Sequence, residues 1–431
     1  MKLRDMRKIV IFLVCFSVMI LSSMPHEVEG LTVSSSEQSI SSYGTIVYPA
    51  TDSVKIGRAT YASYSYSTSQ VVNYFDLIIG HWDAVPSLVA PPKTVDPDFK
   101  SIIYANTLLR YSSGANDPAG TFNTFKNNGW LLKNSAGSYV TESGGTAHFV
   151  DIGNPAVWSW YANWLNGYVT QYNLDGVYLD NTCCDLGAFY YATSTPINPR
   201  TGVAWTDAEV VTAYIGYVNA IKDTIGPNKI VISNGIYNSY GSHWNNNARQ
   251  LISQSRLDGI ISEGWMGPYT RSYIDETQWV GNVNLAVWLQ SNLLATRTNG
   301  LFLAFCPQVS TNPDVYAAPA DAATVKQYTT YCFASLLLAA DNPGNYIFFG
   351  TTDAYSQSLF NINVGTPSNS YYQVSGTHVY ARDFTNVKVL VNPSTSAYTV
   401  SLTGSFKTQD GIVVGSSINV PANSGIILNK A

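Results

Sequence analysis

The chain has 431 residues, with 23 Lys and Arg against 28 Asp and Glu, a formal net charge of −5. Only 12% of residues are charged while 45% are hydrophobic and 13% aromatic, which excludes a disordered polypeptide. Residues 1–30 hold four bases and three acids, so the remainder carries 19 − 25 = −6, and that acidic balance argues against a nucleic-acid partner.

Lys2, Arg4, Arg7 and Lys8 precede an apolar run, Ile9 to Leu21. A basic start before a short apolar stretch describes a signal peptide, here within 1–30. The run is shorter than the ~20 residues a comfortable span needs, so a secreted protein without stable membrane insertion is expected. Cys15 lies in that segment. Cys183 and Cys184 are adjacent, and Cys306 and Cys332 stand apart. Export permits a disulfide, but the pairing stays open. No C-x-x-C or Cys/His ligand spacing occurs, so no metal is expected.

Residues 31–70 are rich in Ser, Thr and Tyr and read as a linker or a short N-terminal strand near Gly44–Tyr48. Strand-like apolar runs then alternate with helical stretches. The runs are Tyr74–Ile79, Ser101–Tyr104, Ala147–Ile152, Gly176–Leu179, Lys229–Ser233, Gly259–Ser262, Leu301–Phe305 and Tyr346–Phe349. Between them Pro155 opens a helix to about Tyr172, and Thr206 or Asp207 caps one that stops at Gly226-Pro227. Further helices are expected over 245–255, 275–295 and 320–340.

Eight such runs predict an α/β fold, a (β/α)8 barrel over residues 71–365. The rival is a doubly wound open sheet. It would bring a Gly-rich phosphate loop after its first strand, where this chain has Gly80-His81-Trp82. From 366 to 431 short alternating runs are separated by Asn-Pro, Thr-Gly, Asp-Gly and Asn-Ser-Gly turns. They predict a small C-terminal antiparallel β domain that packs on the barrel for support.

An internal echo is the sharpest signal. Leu174-Asp175-Gly176-Val177-Tyr178-Leu179-Asp180 matches Leu257-Asp258-Gly259-Ile260-Ile261-Ser262-Glu263. In a barrel the Asp-Gly turns sit at the strand entrance and Asp180 and Glu263 at the C-terminal mouth, where sites of this fold are built. Asp175 and Asp258 read as turn formers. Two carboxylates facing across a cleft can cleave a glycosidic bond, provided their environments hold their pKa values apart. The plainer reading makes Asp180 or Glu263 a cap or a solvated loop acid.

The segments Asp175–Asn181 and Asp258–Gly264 resemble those of the hypothetical glycosyl hydrolase family 15 barrels. More distantly they are similar to the α-galactosidase and α-glucosidase clans. The resemblance implies that Asp180 is the nucleophile and Glu263 the acid/base, with no cofactor. Those clans mostly carry Asp at strand six, where this chain has Glu, so retention or inversion is open.

Other residues fall at the same mouth. His81 and Trp82 end the first run and suit a sugar hydroxyl and a sugar face, or simply pack. Asn106, Asn181, Asn234 and Gln308 follow strand ends and suit hydroxyls, as they would suit ordinary loops. Asp151 either orients a hydroxyl or caps the helix at Pro155. Trp265 is a candidate subsite wall, whereas Tyr178 reads as core. Trp158, Trp160 and Trp164 fall at helical spacing and read as packing. The expected function is a secreted glycoside hydrolase acting on an oligo- or polysaccharide. The alternatives are a carbohydrate-binding barrel that does not cut and a cell-surface adhesive protein.

Overall fold

Eight parallel strands close into a barrel around an apolar plug. The computed structural model describes residues 55–60, 67–112, 121–234, 246–267, 273–305, 323–349 and 354–431. In chain order the strands are β1 (Lys55–Thr60), β2 (Leu77–Gly80), β3 (Lys100–Asn106), a ribbon of β4 (Leu109–Tyr111) and β5 (Ala147–Phe149), β6 (Gly176–Asp180), β7 (Ile230–Ser233), β8 (Gly259–Glu263), β9 (Leu301–Phe305) and β10 (Tyr346–Phe349). The barrel runs β1-β2-β3-β6-β7-β8-β9-β10, and Lys55 pairs with Ile347 to close it. The helices include α1 (Thr68–Tyr74), α2 (Pro92–Val95), α3 (Thr121–Asn127), α4 (Pro155–Gln171), α5 (Asp207–Ile225), α6 (Asn246–Gln254), α7 (Glu276–Asn292), α8 (Ala323–Ala339) and α9 (Ala354–Phe360).

The expected (β/α)8 barrel is therefore present, with two strands reassigned. Ala147–Ile152 is not the third barrel strand. Its first part, β5, pairs antiparallel with β4 in a ribbon outside the barrel. The strand the pattern missed is β1, within the segment read as a linker. Its sequence, Lys-Ile-Gly-Arg-Ala-Thr, lacks the continuous apolar character of the other barrel strands. The two differences offset, so β6 and β8 remain strands four and six. The Gly44–Tyr48 strand and the signal segment lie outside the described residues.

Local chemistry fixes the helix ends. Asn154 accepts from the Ala156 amide ahead of Pro155 to start α4. Thr206 and Glu209 form a reciprocal capping box on α5, and Gly226 at φ 102° follows its last turn. Asp275 caps α7. Inside the barrel, Leu77, Ile79, Ile102, Tyr178, Ile230, Ile232, Ile261, Leu301, Leu303, Phe305 and Ile347 fill the lumen. Each fully buried aliphatic chain among them contributes about 1.5–3 kcal/mol.

The Leu-Asp-Gly echo is a repeated structural device. At the foot of β6, the Asp175 carboxylate accepts from Lys93 Nζ at 2.7 Å and from the Ser101 amide of β3 at 2.9 Å. At the foot of β8, Asp258 accepts from Lys222 Nζ at 2.7 Å and from the Val231 amide of β7 at 2.8 Å. Each aspartate thus staples its strand to the one before it. The glycine that follows is needed for close approach, because a Cβ on Gly176 would lie 2.0 Å from the Ile230 carbonyl oxygen and one on Gly259 2.7 Å from that of Leu301.

The C-terminal strands are β11 (Tyr372–Gln373), β12 (Tyr380–Asp383), β13 (Val387–Asn392), β14 (Tyr398–Ser401), β15 (Phe406–Lys407), β16 (Val413–Val414), β17 (Ser417–Val420) and β18 (Ser424–Lys430). They form an antiparallel sheet in the order β11-β12-β13-β18-β15-β16, with β14 and β17 as a separate pair. This layer leans on the barrel helices. Arg382 reaches the Leu338 carbonyl at 2.9 Å and ion-pairs with Asp341, while His378 and Tyr380 hold Glu276 of α7.

Candidate active site

Alternation along the strands brings a defined set of side chains to the C-terminal mouth. Tyr104 of β3 and Tyr178 of β6 belong to the inner layer. Two residues further on, Asn106 and Asp180 end the same strands and are paired in register. His81 follows β2, Asn234 follows β7, and Glu263 ends β8.

Among the described residues, Asp180 is held by neutral donors. Tyr104 Oη donates to its Oδ2 at 2.5 Å, and Asn234 Nδ2 to its Oδ1 at 2.9 Å. The Asn181 amide donates to Oδ1 at 2.9 Å, and Asn181 Nδ2 to Oδ2 at 3.3 Å. Asn181 takes the left-handed region, φ 57°, which asparagine tolerates and which turns its amide back onto the carboxylate. Tyr214 Oη fixes that turn by donating to the Asn181 carbonyl at 2.7 Å. Burial raises Asp180 above the ordinary aspartate range, and the bonds from Tyr104, Asn234 and Asn181 work in the opposite sense without cancelling it.

Glu263 receives Tyr178 Oη at 3.3 Å. The rings of Tyr104 and Tyr178 lie 5.7 Å apart, so the hydroxyls serving the two acids come from neighbouring side chains. His81 stands 5.9 Å from the Tyr104 ring, and its Nδ1 meets Asp83 Oδ1 at 2.8 Å. That contact holds Asp83 below the usual carboxylate range.

The structure separates the remaining candidates. Asn181 and Asn234 gather on Asp180 itself. Trp82 is half-buried against the core beside His81. Asn106 spends its Oδ1 on the amides of Leu108 and Leu109 at 3.0 and 2.9 Å, which caps its own loop. Asp151 does not close a barrel strand and does not cap α4; it is buried in a two-bond ion pair with Arg200 at 3.0 and 2.9 Å. The same carboxylate accepts from the Gly153 amide at 3.3 Å, so Asp151 ties its own loop to Arg200. Trp265 walls no cleft, because it is fully buried and its indole N–H donates to the Cys332 carbonyl at 3.1 Å. The main chain turns at Gly264, φ 76°, and Trp265 packs on Phe302 beneath α8. Gln308 lies outside the described residues.

Sequence reading passes over Tyr104 and Asp83, and Tyr178, expected mainly in the core, also gives its hydroxyl to Glu263. A period-two count back from Asn106 and Asp180 reaches both tyrosines, so that signal was available. Among the described cysteines, Cys183 and Cys332 are free thiols, and burial pushes the Cys184 thiol up to about 12. No group of three His, Cys, Asp or Glu side chains among the described residues is arranged to hold a metal ion.

The closed barrel with its C-terminal antiparallel layer defines the chain as a (β/α)8 barrel protein. The comparison with family models agrees and is more specific: the chain belongs to the hypothetical glycosyl hydrolase family 15, whose model matches residues 93–388. No curated protein matches the sequence. Among solved structures, it is similar to the noncanonic maltogenic α-amylase AmyB from Thermotoga neapolitana, with 10% identity and a TM-score of 0.51 over 87% of this chain and 98% of that one. Weaker likenesses are to an α-amylase from Geobacillus thermoleovorans complexed with acarbose, at 11% identity, 88% and 98% coverage and a TM-score of 0.48. Another is to the GH36 α-galactosidase AgaA from Geobacillus stearothermophilus, at 9% identity, 88% and 55% coverage and a TM-score of 0.48. The AmyB likeness supports the fold and nothing finer.

Proposed function

We propose that this glycoside hydrolase cleaves O-glycosidic bonds of an oligo- or polysaccharide with retention, using Asp180 as nucleophile and Glu263 as acid/base. The observation that carries the reading is the set of four neutral donors on Asp180, with no cation among its described partners. A carboxylate surrounded only by donors is stabilised as the anion, which is the form that attacks. The absence of a paired cation leaves its charge available to an oxocarbenium-like centre.

In the first step an Asp180 oxygen bonds to the anomeric carbon while the bond to the leaving oxygen breaks. Glu263 gives its proton to that oxygen. In the second step a water attacks the anomeric carbon, Glu263 takes the water's proton, and the Asp180 ester bond breaks. Asn181 and Asn234 keep the nucleophile aimed, and His81 with Trp82 meets the sugar at the rim. The basic and apolar start of the chain supports export, so the substrate is extracellular carbohydrate.

The test is a screen of the full chain against a panel of oligo- and polysaccharides, repeated with Asp180→Asn and Glu263→Gln. Each variant is expected to lose at least about a hundredfold in kcat. Turnover unchanged in either variant contradicts the assignment. Saccharide binding without turnover in the native chain supports the non-cutting barrel instead.

A further inference from the structure

The two proposed catalytic acids meet the barrel plug through a pair of phenols. Tyr104 and Tyr178 are direct partners in the parallel ladder of β3 and β6. Their rings lie 5.7 Å apart at an interplanar angle of 30°. Tyr178 is 1% exposed and Tyr104 packs against the same inner cluster, so neither ring is free to swing. One hydroxyl goes to Asp180 at 2.5 Å and the other to Glu263 at 3.3 Å.

Resting on the reaction proposed above, we propose that Tyr104 is a positioning residue that sets the ionisation of Asp180. Tyr178 is its counterpart and orients Glu263, so the two acids titrate apart. Asp180 receives its shortest bond from Tyr104, a hydroxyl donated to a charged acceptor, the strong kind of hydrogen bond. The Tyr178 bond is 3.3 Å long, beyond the usual O–H···O range, and directs Glu263 more than it stabilises its charge.

Among the described residues, the other titratable groups around Asp180 do not supply that control. Tyr161 of α4, Tyr214 of α5 and Cys183 of the following loop face it, and burial raises all three, which keeps them neutral. Arg110 approaches only behind Tyr161, 4.4 Å from that ring, and gives its Nη1 to the Asn106 and Leu109 carbonyls. His81 contacts the Tyr104 ring and is engaged with Asp83. Tyr104 is therefore the group whose removal changes Asp180 most directly while the ring packing stays.

The experiment uses the full chain carrying 13C in its aspartate side-chain carboxyls, as native protein and as Tyr104→Phe and Tyr178→Phe. The Asp180 signal is assigned by its loss in Asp180→Asn. In Tyr104→Phe the Asp180 titration midpoint is expected to rise by about one pH unit or more, and in Tyr178→Phe to move by less than about 0.3. An unmoved midpoint in Tyr104→Phe, with a native-like melting temperature, overturns the proposal, as does an equal shift in both variants. This readout needs no substrate, so failure of the hydrolase reading would appear separately, as inactivity of the native chain. Where turnover is measured, Tyr104→Phe shifts the acidic limb of kcat/KM upward and Tyr178→Phe shifts the alkaline limb. A uniform loss across pH in Tyr104→Phe, with both limbs in place, marks the ring as packing and also overturns the proposal.

Discussion

The Lys222–Asp258 pair at the foot of β8 offers a perturbation whose size follows from its surroundings. The two side chains are only 9% and 6% exposed and 2.7 Å apart. Burial raises Asp258 above the ordinary range, against the opposing effect of Lys222 and the Val231 amide. Lys222→Met would leave a buried carboxylate with the Val231 amide at 2.8 Å, no ion-pair partner among the described residues, and Arg297 acting on it from further away. Breaking such a pair from one side costs about 3–5 kcal/mol. The matching pair at the foot of β6 is milder, because Lys93 and Asp175 are 14% and 16% exposed and Lys100 stands 3.8 Å away as a second cation. Lys93→Met should therefore cost about 1–2 kcal/mol.

Urea unfolding of both variants at pH 7 measures the difference. Acidification supplies a second check. In Lys222→Met the folded-state pKa of Asp258 lies above its unfolded value, so the folded state holds the extra proton. The deficit is then full above the folded pKa and shrinks as pH falls through it. The double variant Lys222→Met/Asp258→Asn should recover at least about half of the loss. A Lys222→Met loss under about 1 kcal/mol, or a deficit that grows on acidification, would refute the account of the strand staples.

Three further outcomes are expected. Gly176→Ala should be more destabilising than Gly259→Ala, since the added Cβ meets a carbonyl oxygen at 2.0 Å rather than 2.7 Å. Overpacking of this kind costs about 1–3 kcal/mol or more, and thermal melting of the two variants gives the order. Trp265→Phe should lower stability by about 1–3 kcal/mol through the lost bond to Cys332 and the smaller ring, yet leave KM unchanged on any substrate the chain accepts. A raised KM with native stability would return Trp265 to the cleft. Because burial raises Asp180, activity that needs its anion should fade on acidification at a pH above the ordinary aspartate range, which a kcat/KM profile reads directly.

Much of this was legible from residue pattern. The periodic apolar runs, Pro155, and the end signals at Thr206 and Gly226 are local, and the elements they mark lie close to the expected positions. β1 escaped because a strand that reads Lys-Ile-Gly-Arg-Ala-Thr carries little apolar pattern, and its pairing with β10 joins opposite ends of the barrel sequence. Ala147–Phe149 looked like a barrel strand because alternation reports a half-buried strand of any sheet, and says nothing about which sheet. Asp151 and Trp265 are engaged away from the mouth for a related reason. Both sit close in sequence to a strand end, but Arg200 and the Cys332 carbonyl, which claim them, come from distant parts of the chain. Asp180 and Glu263 stand out in the sequence because a repeated motif carries its own register, while Tyr104 and Asp83 meet their partners only through tertiary structure.

The most direct measurement is covalent trapping. The full chain would be incubated with 2-deoxy-2-fluoro glycosyl fluorides of the gluco, galacto and manno series, and its intact mass and peptides analysed. One glycosyl adduct on the peptide carbonyl-side of Gly176, at Asp180, is the result the account predicts, with no adduct in Asp180→Asn. An adduct on Glu263, or on any other carboxylate while Asp180 stays unmodified, would contradict it.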